Sequence, residues 1–502
     1  MHDSSFKLVV VVSAASAAAC VALMAVRVVS AVSFHEPLHL ITSGWEQESL
    51  FAIWKSLQGL AVYADPYEIP FAASVYNWLF YQSFAGVTGS ALGLLTLEDA
   101  WIPTIARLFT LAGAVAGSAI CYRSFVAVVG SADRPLKALS AAFAVFVFFG
   151  PLIGFWAITA RPDVWALALE ILGVLLFWRF HRSRSVPALL AAALALYAAW
   201  AFKQANVLIA VSIALFLLTR RDWKGFGLFA AALGAGWGLT LAAGPPDYAA
   251  ALLEATRKGF SLAQMTRNLA NFSVKSVPSL AAFAGLLGAL LVSPRLKQAF
   301  HEDDRWAFAV VGVGATAVLT VAASAKIGAS EVYYLPLSYL LALGVLVGTA
   351  ILRAEAAGTQ RTRVLPAVLW TSAFGWGANL AAVATVFLGF QGVLSVTPQH
   401  ARNLEVRRCV EALPKPVFVD NLYLSLPWMN VGGPHFVVSY NYETDRRADF
   451  AFERGGIGGM IEHGDFAALV LRRGDATFDG GRLDRYERRP GPCGHFVAYR
   501  RR

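Results

Sequence analysis

Residues 72–95, AASVYNWLFYQSFAGVTGSALGLL, decide how this chain is arranged, because counting them as a membrane crossing or not sets the side of every later loop. Upstream, residues 6–32 read FKLVVVVSAASAAACVALMAVRVVSAV, long enough to cross about 30 Å of hydrocarbon at about 1.5 Å per residue. Downstream, apolar runs recur at about 102–127, 138–159, 163–180, 186–203, 205–219, 225–244, 277–294, 305–324, 333–353 and 365–390. Five basic clusters separate them: Arg134 and Lys137; Arg179, Arg182 and Arg184; Arg220, Arg221 and Lys224; Arg295, Lys297 and Arg305; Arg353, Arg361 and Arg363. With a cytoplasmic amino terminus, all five fall on the inner side only if 72–95 is not a crossing. The sequence therefore predicts a polytopic α-helical membrane protein of about eleven transmembrane helices. Residues 72–95 then lie in or dip into the outer leaflet, with Tyr76, Trp78, Phe80, Tyr81 and Phe84 at interface depth.

Composition agrees. Of 502 residues 57% are hydrophobic and 15% charged, and the mean hydropathy is +0.56. The apolar residues come in unbroken runs rather than at amphipathic spacing. A net charge of +10 would suggest nucleic acid in a soluble protein. Here the basic residues sit in short loops and orient the chain in the membrane, so no nucleic-acid partner is expected. The first span is too long for a signal-peptide core and lacks a clear small-residue cleavage site, so it reads as an uncleaved helix.

Two domains are expected: a transmembrane domain over 1–390, containing an outer loop at 34–101, and a small extracytoplasmic α/β domain over 391–502. In the latter, Leu404–Leu413 suggests a helix, and Val417–Val419, Phe436–Ser439, Ala467–Leu471 and Phe496–Tyr499 suggest short strands between Gly, Pro and Asp. Cys409 and Cys493 fall in this tail and are able to pair if it lies outside. Gly455-Gly456-Ile457-Gly458-Gly459 does not match a dinucleotide fingerprint and reads as a loop.

On this topology the ionisable residues outside the basic loops gather on the outer face. Glu46, Glu48, Arg161, Asp163, Lys203, Lys326 and Glu331 all belong there. Charged groups at span ends are costly unless paired, solvated or functional. Cations facing two carboxylates suggest a site that holds an anionic lipid head group, with a Glu as general base. Each residue also has a purely structural reading. Ser43-x-x-Glu46 fits a capping box, Arg161 and Lys203 fit snorkelling side chains, and Pro162-Asp163 fits a helix start. Glu46 and Glu48 lie two apart, about 200° on a helix, so one of them, not both, is expected to act. His35 and His39 have ligand spacing but are separated by Pro37, and no third ligand follows at motif spacing.

The acidic outer loop, with Gly59, Val62-Tyr63, Tyr76-Asn77-Trp78-Leu79 and Ala106-Arg107-Leu108, resembles the GT-C superfamily of integral-membrane glycosyltransferases. Aminoarabinose transferases and protein O-mannosyltransferases are the most similar types. Arg161-Pro162-Asp163, Phe202-Lys203-Gln204 and Gly328-Ala-Ser-Glu331-Val-Tyr333-Tyr334 resemble segments recurrent among bacterial members. The likeness covers roughly residues 1–390, in short motifs.

The resemblance implies transfer of a sugar from a polyprenyl-phosphate donor to a lipid, glycan or protein acceptor, at the outer face of a bacterial cytoplasmic membrane. It also implies that the first-loop acid is catalytic base or metal-linked carboxylate. The cofactor it admits is therefore a divalent metal ion. Glu46 falls nearest the family's acidic position and Glu48 second; the chain has Glu-x-Glu where Asp-Glu is common. Lys203, Lys326 and Arg161 are the candidates for stabilising the departing lipid phosphate. Tyr63, Tyr76, Asp163, Gln204, Glu331 and Tyr333 complete the candidate substrate site. A single displacement would invert the anomeric centre. Two other classes are weighed. A transporter or lipid flippase would show internal repeats and midplane polar breaks, which are not found here, and an envelope scaffold would use the tail as a binding module.

Overall fold

The computed structural model describes residues 2–32, 45–130, 133–245, 247–254, 259–357, 364–388, 397–420, 426–429, 431–433, 440–447, 449–472, 477–491, 493–494 and 496–502. His35, Pro37, His39, Ser43 and the expected strand at 436–439 lie outside these residues. Each expected span coincides with a helix. These are α1 (His2–Val32), α4 (Ile102–Val129), α5 (Arg134–Phe149), α6 (Asp163–Ser183), α7 (Val186–Phe202), α8 (Leu208–Thr219), α9 (Trp223–Ala243), α12 (Val277–Val292), α14 (Asp304–Ser324), α15 (Leu335–Ala357) and α16 (Val364–Leu388). Among the described residues seven helices are long and apolar enough to cross a membrane. They become eight if α11 (Leu262–Lys275) and α12, bent by 88°, form one broken span. Helices α7 and α8 are apolar but shorter.

The expected span 138–159 is shorter than its apolar run. Helix α5 stops at Phe149, and a 3-10 turn occupies Gly154–Ile158. Gly150-Pro151 is the cause, since proline lacks the N–H a helix needs and forces the preceding residue into extended backbone; Gly150 has ψ 177°. The bundle closes tightly where side chains are smallest. A Cβ on Gly117 of α4 would stand 2.3 Å from the ring of Phe148, so only glycine lets α4 and α5 approach this closely.

Ala72–Leu95 begins as extended chain and becomes α3 (Trp78–Leu95), 18 residues long and not among the seven candidate spans. Asn77 caps it, its Oδ1 accepting from the Trp78 N–H at 2.8 Å, which satisfies one of the helix's orphan donors. The same side chain donates to the Trp200 carbonyl at 2.9 Å and accepts from the Tyr248 hydroxyl, pinning α3 to the end of α7 and to α10 (Tyr248–Glu254). Helix α2 (Trp45–Leu57) packs beside α3, burying Leu50, Phe51, Ala52 and Ile53.

The carboxyl-terminal unit contains α17 (Thr397–Glu411), α18 (Tyr440–Arg447), α19 (Gly456–His463) and a four-stranded sheet. The sheet is ordered β1 (Val417–Val419), β2 (Ala468–Leu471), β6 (Val497–Arg501), β5 (Tyr486–Arg488). The first pair is parallel and the others antiparallel. β3 (Thr477–Phe478) and β4 (Gly481–Arg482) make a separate hairpin. Strands β1 and β2 are buried along their whole length, as expected for a sheet covered on both faces. Cys409 of α17 is bonded to Cys493.

This unit grips the first loop. The Ile69 N–H donates to Glu453 at 2.9 Å and the Glu453 N–H donates to the Tyr67 carbonyl at 2.8 Å. Tyr67 stacks on Phe450, and Phe71, 1% exposed, packs against Tyr442 and Phe452. Phe71 has φ +59°, a backbone state unfavourable for a bulky residue. Insertion of its ring into this aromatic cluster offsets that cost.

Candidate functional site

Both first-loop glutamates occupy the first turn of α2, where free N–H groups favour a carboxylate. Their surroundings differ because they point to different sides of the helix. Glu46 is fully buried. Its Oε1 accepts from Arg107 Nε and from the Ala160 N–H, and its Oε2 accepts from Arg107 Nη2, all at 3.0 Å. Arg107 Nη1 donates to the Ala31 carbonyl at 3.0 Å. One bidentate pair thus joins α1, α2, α4 and the turn ahead of α6. Arg107 was not singled out for a role by sequence; a cation deep in an apolar run, which needs a partner, was the available signal.

Glu48, 3% exposed, lies near the phenols of Tyr76 and Tyr81. Burial holds both phenols protonated well above the usual tyrosine range, and the Glu48 charge adds to the effect. The Tyr81 hydroxyl accepts from the Tyr76 N–H at 3.2 Å.

Beside Tyr76 stands a second constellation. Asp163, in the first turn of α6, accepts from Arg161 Nε at 2.9 Å through Oδ2 and from Lys203 Nζ at 2.5 Å through Oδ1. The Arg161 guanidinium lies 4.2 Å from the ring centre of Trp156 and 5.5 Å from that of Tyr76. The Lys203 ammonium lies 4.8 Å from the ring centre of Tyr333. Two cations share one carboxylate, leaving a net charge of +1 walled by aromatic faces, an environment suited to an anion.

Two candidate residues support the backbone rather than the charges. Tyr63 donates its hydroxyl to the Tyr76 carbonyl at 3.0 Å, and Gln204 donates its amide to the Val75 carbonyl at 2.8 Å. Glu170, about two turns beyond Asp163 on α6 and fully buried, accepts from Asn206 at 2.9 Å and so holds the turn that carries Lys203.

The structure thus brings together Tyr63, Tyr76, Arg161, Asp163, Lys203, Gln204 and Tyr333, with Glu48 beside them. Lys326 is on another segment, bridged to Phe260 after α14, and Glu331 forms an ion pair with Lys275 at the end of α11. Trp156, Glu170 and Lys275 carried no motif that sequence reading could have used. Among the described residues the donor set does not fit a divalent metal. Among the described residues no three His, Cys, Asp or Glu side chains converge, and Asp163 is already held by two cations.

No family model matches the sequence, and no curated protein matches it by sequence. Solved structures do match. ArnT from Cupriavidus metallidurans, in the apo state, superimposes with TM-score 0.53 at 14% identity, over 90% of this chain and 91% of ArnT. AglB from Archaeoglobus fulgidus, an archaeal oligosaccharyltransferase in complex with an inhibitory peptide and a dolichol-phosphate, gives TM-score 0.49 at 10% identity. That match covers 93% of this chain and 69% of AglB. An apo oligosaccharyltransferase from Archaeoglobus fulgidus gives 0.43 at 12%, over 83% and 58%. The match to ArnT covers enough of both chains to include the helical bundle and the carboxyl-terminal unit, and on it the two proteins share a fold.

Proposed function

We propose that this protein is a membrane glycosyltransferase. It moves a sugar from a polyprenyl-phosphate donor to a lipid, glycan or protein acceptor at the outer face of a bacterial cytoplasmic membrane. The observation that carries this reading is the convergence of Glu48, Tyr76, Arg161, Asp163, Lys203 and Tyr333 on one buried, aromatic-walled site that pairs two cations with a separate carboxylate, within a GT-C fold. On the topology that the basic loops favour, with 72–95 at the outer leaflet, that site lies outside, in the same compartment as the carboxyl-terminal domain of residues 391–502. The Cys409–Cys493 bond supports an oxidising surrounding for that domain.

Glu48 is the base. It takes the proton of the acceptor hydroxyl as that oxygen attacks the anomeric carbon. The bond from that carbon to the phosphate oxygen breaks, its electron pair leaving with the polyprenyl phosphate. Arg161 and Lys203 stabilise the charge that grows on the departing phosphate, and Asp163 keeps both cations aimed before substrate arrives. Glu46 is assigned to the structure, because Arg107 and the Ala160 N–H occupy its carboxylate. No step is routed through a metal.

The test is sugar transfer from radiolabelled polyprenyl-phosphate sugar by the purified full-length protein, compared with Glu48→Gln. Turnover by the wild type and its loss in the variant, at unchanged thermal stability, is the expected result. Movement of the labelled lipid across liposome membranes without sugar release would replace this reading with the flippase one.

A further inference from the structure

A helix on a water-facing surface buries its apolar stripe and exposes its polar one; α11 does the reverse. The side turned to the protein is polar. Gln264 Nε2 donates to the Ala329 carbonyl at 2.7 Å, Asn268 Nδ2 donates to the carbonyls of Ser324 at 3.0 Å and Ala329 at 3.2 Å, and Lys275 pairs with Glu331. The side turned outward is apolar. Leu262 is 73% and Val274 75% exposed, and the exposed Leu269 lies two turns beyond Leu262 on the same face. Thr266 and Ser273 share that face, but each hydroxyl is turned back onto the helix, donating to the carbonyls of Leu262 at 2.9 Å and Leu269 at 2.8 Å. Back-bonding of this kind satisfies a hydroxyl that has no water to meet.

We propose that α11 lies flat in the outer leaflet, with Leu262, Leu269 and Val274 in hydrocarbon, and that from there it clamps the segment leading to Tyr333. Its direction fits: α11 meets α12 at 88°, and α12 ends just before Arg295 and Lys297 of an inner-side basic cluster. The bend is therefore at the outer surface, where a helix at right angles to a span runs along the membrane plane. Arg267, exposed beside the apolar face, reaches the head groups. Lipid, and not a protein, covers this face because α11 runs through Ser276 directly into α12, an apolar helix whose Leu287 and Leu291 are exposed as well. The clamp has further contacts. The Ser261 N–H donates to the Ala325 carbonyl at 2.7 Å, the Ile327 N–H donates to the Gly259 carbonyl at 2.9 Å, and Phe272 stacks on Tyr334 with ring centres 4.5 Å apart. The neighbouring Tyr333 presents its ring to the Lys203 ammonium. One wall of the cationic site is thus held in place from the bilayer, and this holds whether or not the protein transfers sugar.

The experiment places a nitroxide on the full-length protein in liposomes of phosphatidylethanolamine and phosphatidylglycerol, at Leu262→Cys, at Leu269→Cys, and at Asp484→Cys on the polar carboxyl-terminal unit. Cys20 and Cys121 are buried and Cys409 is bonded to Cys493, so the label goes to the introduced thiol. At 262 and 269 the ratio of collisions with dissolved oxygen to collisions with a water-soluble nickel chelate is expected to exceed that at 484 severalfold. A ratio equal to that at 484 overturns the seating in lipid, and low collision with both reagents overturns it in favour of a protein covering the face. The clamp is read by hydrogen exchange. In Leu262→Asp with Leu269→Asp, which drives the face out of hydrocarbon, the amides of residues 325–331 are expected to exchange about tenfold faster, with the β2 amides as internal reference. Unchanged exchange at 325–331 overturns the clamp. Sugar transfer enters neither readout, so failure of the transferase reading leaves both results standing.

Discussion

The Glu46–Arg107 pair makes a prediction whose size follows from its burial. Arg107→Met leaves a carboxylate with no exposed surface and without its paired cation, while the Ala160 N–H bond remains. Removing one partner of a buried ion pair costs about 3–5 kcal/mol, because the other charge is stranded. The Ala31 carbonyl, which Arg107 also bonds at 3.0 Å, loses its donor as well. Replacing both partners, in Glu46→Leu with Arg107→Met, removes the stranded charge and leaves the Ala160 N–H and the Ala31 carbonyl without these partners, at about 1–3 kcal/mol each and without a buried charge. The double variant is therefore expected to be more stable than Arg107→Met alone. The assay is thermal unfolding of the detergent-solubilised full-length protein, reported by tryptophan fluorescence at one scan rate for all variants. An Arg107→Met protein that unfolds with the wild type, or a double variant no better than the single, would show that Glu46 is not held as described and would return it to candidacy as the base.

Glu48→Gln, by contrast, keeps the side chain's shape and replaces a charge that is costly to bury with a neutral amide, so it is expected to unfold within about 2 kcal/mol of wild type. It should lose about 10²- to 10⁴-fold in sugar transfer, the usual contribution of a general base; retained turnover would remove Glu48 from the mechanism. Lys55 is buried and donates to the Val62 carbonyl at 2.8 Å, and burial lowers its pKa to about 8. Its unfolded value lies near 10.5, so between these pH values the unfolded chain holds more protons and stability rises with pH. Unfolding followed from pH 7.5 to 10.5 is expected to show that rise, diminished in Lys55→Met; identical profiles would contradict it. Phe71→Ala is expected to cost the carboxyl-terminal unit about 3–5 kcal/mol, measured as faster proteolysis of the first loop between residues 60 and 75.

The helical layout was legible because apolar runs are cheap to recognise and each one did become a helix. The end of α5 was missed where Gly150-Pro151 interrupts an otherwise uniform run, a local backbone effect that hydropathy averages away. The grouping of Arg161, Asp163 and Lys203 was also legible, from the rule that charges at span ends need a shared reason. What sequence could not separate was Glu46 from Glu48. Both sit in the same helical turn, and their difference comes from Arg107, 61 residues from Glu46. For Glu331 and Lys326 topology fixes a side of the membrane but not a lateral position, and the pairing of Glu331 with Lys275 had no signal in the sequence.

The clasp between Glu453 and the Tyr67–Ile69 stretch spans 384 positions of sequence at the Ile69 N–H bond. At roughly 5–20 residues per second, a ribosome needs on the order of 20–80 s to make the second half of that contact after the first has emerged. Throughout that interval the Tyr67–Phe71 stretch lacks the carboxyl-terminal residues it packs against. Assembly of this protein is thus timed by its last hundred residues: the earliest loop made is among the last to take its final shape, and a chain cut short after α16 would carry every span yet leave that loop unfinished.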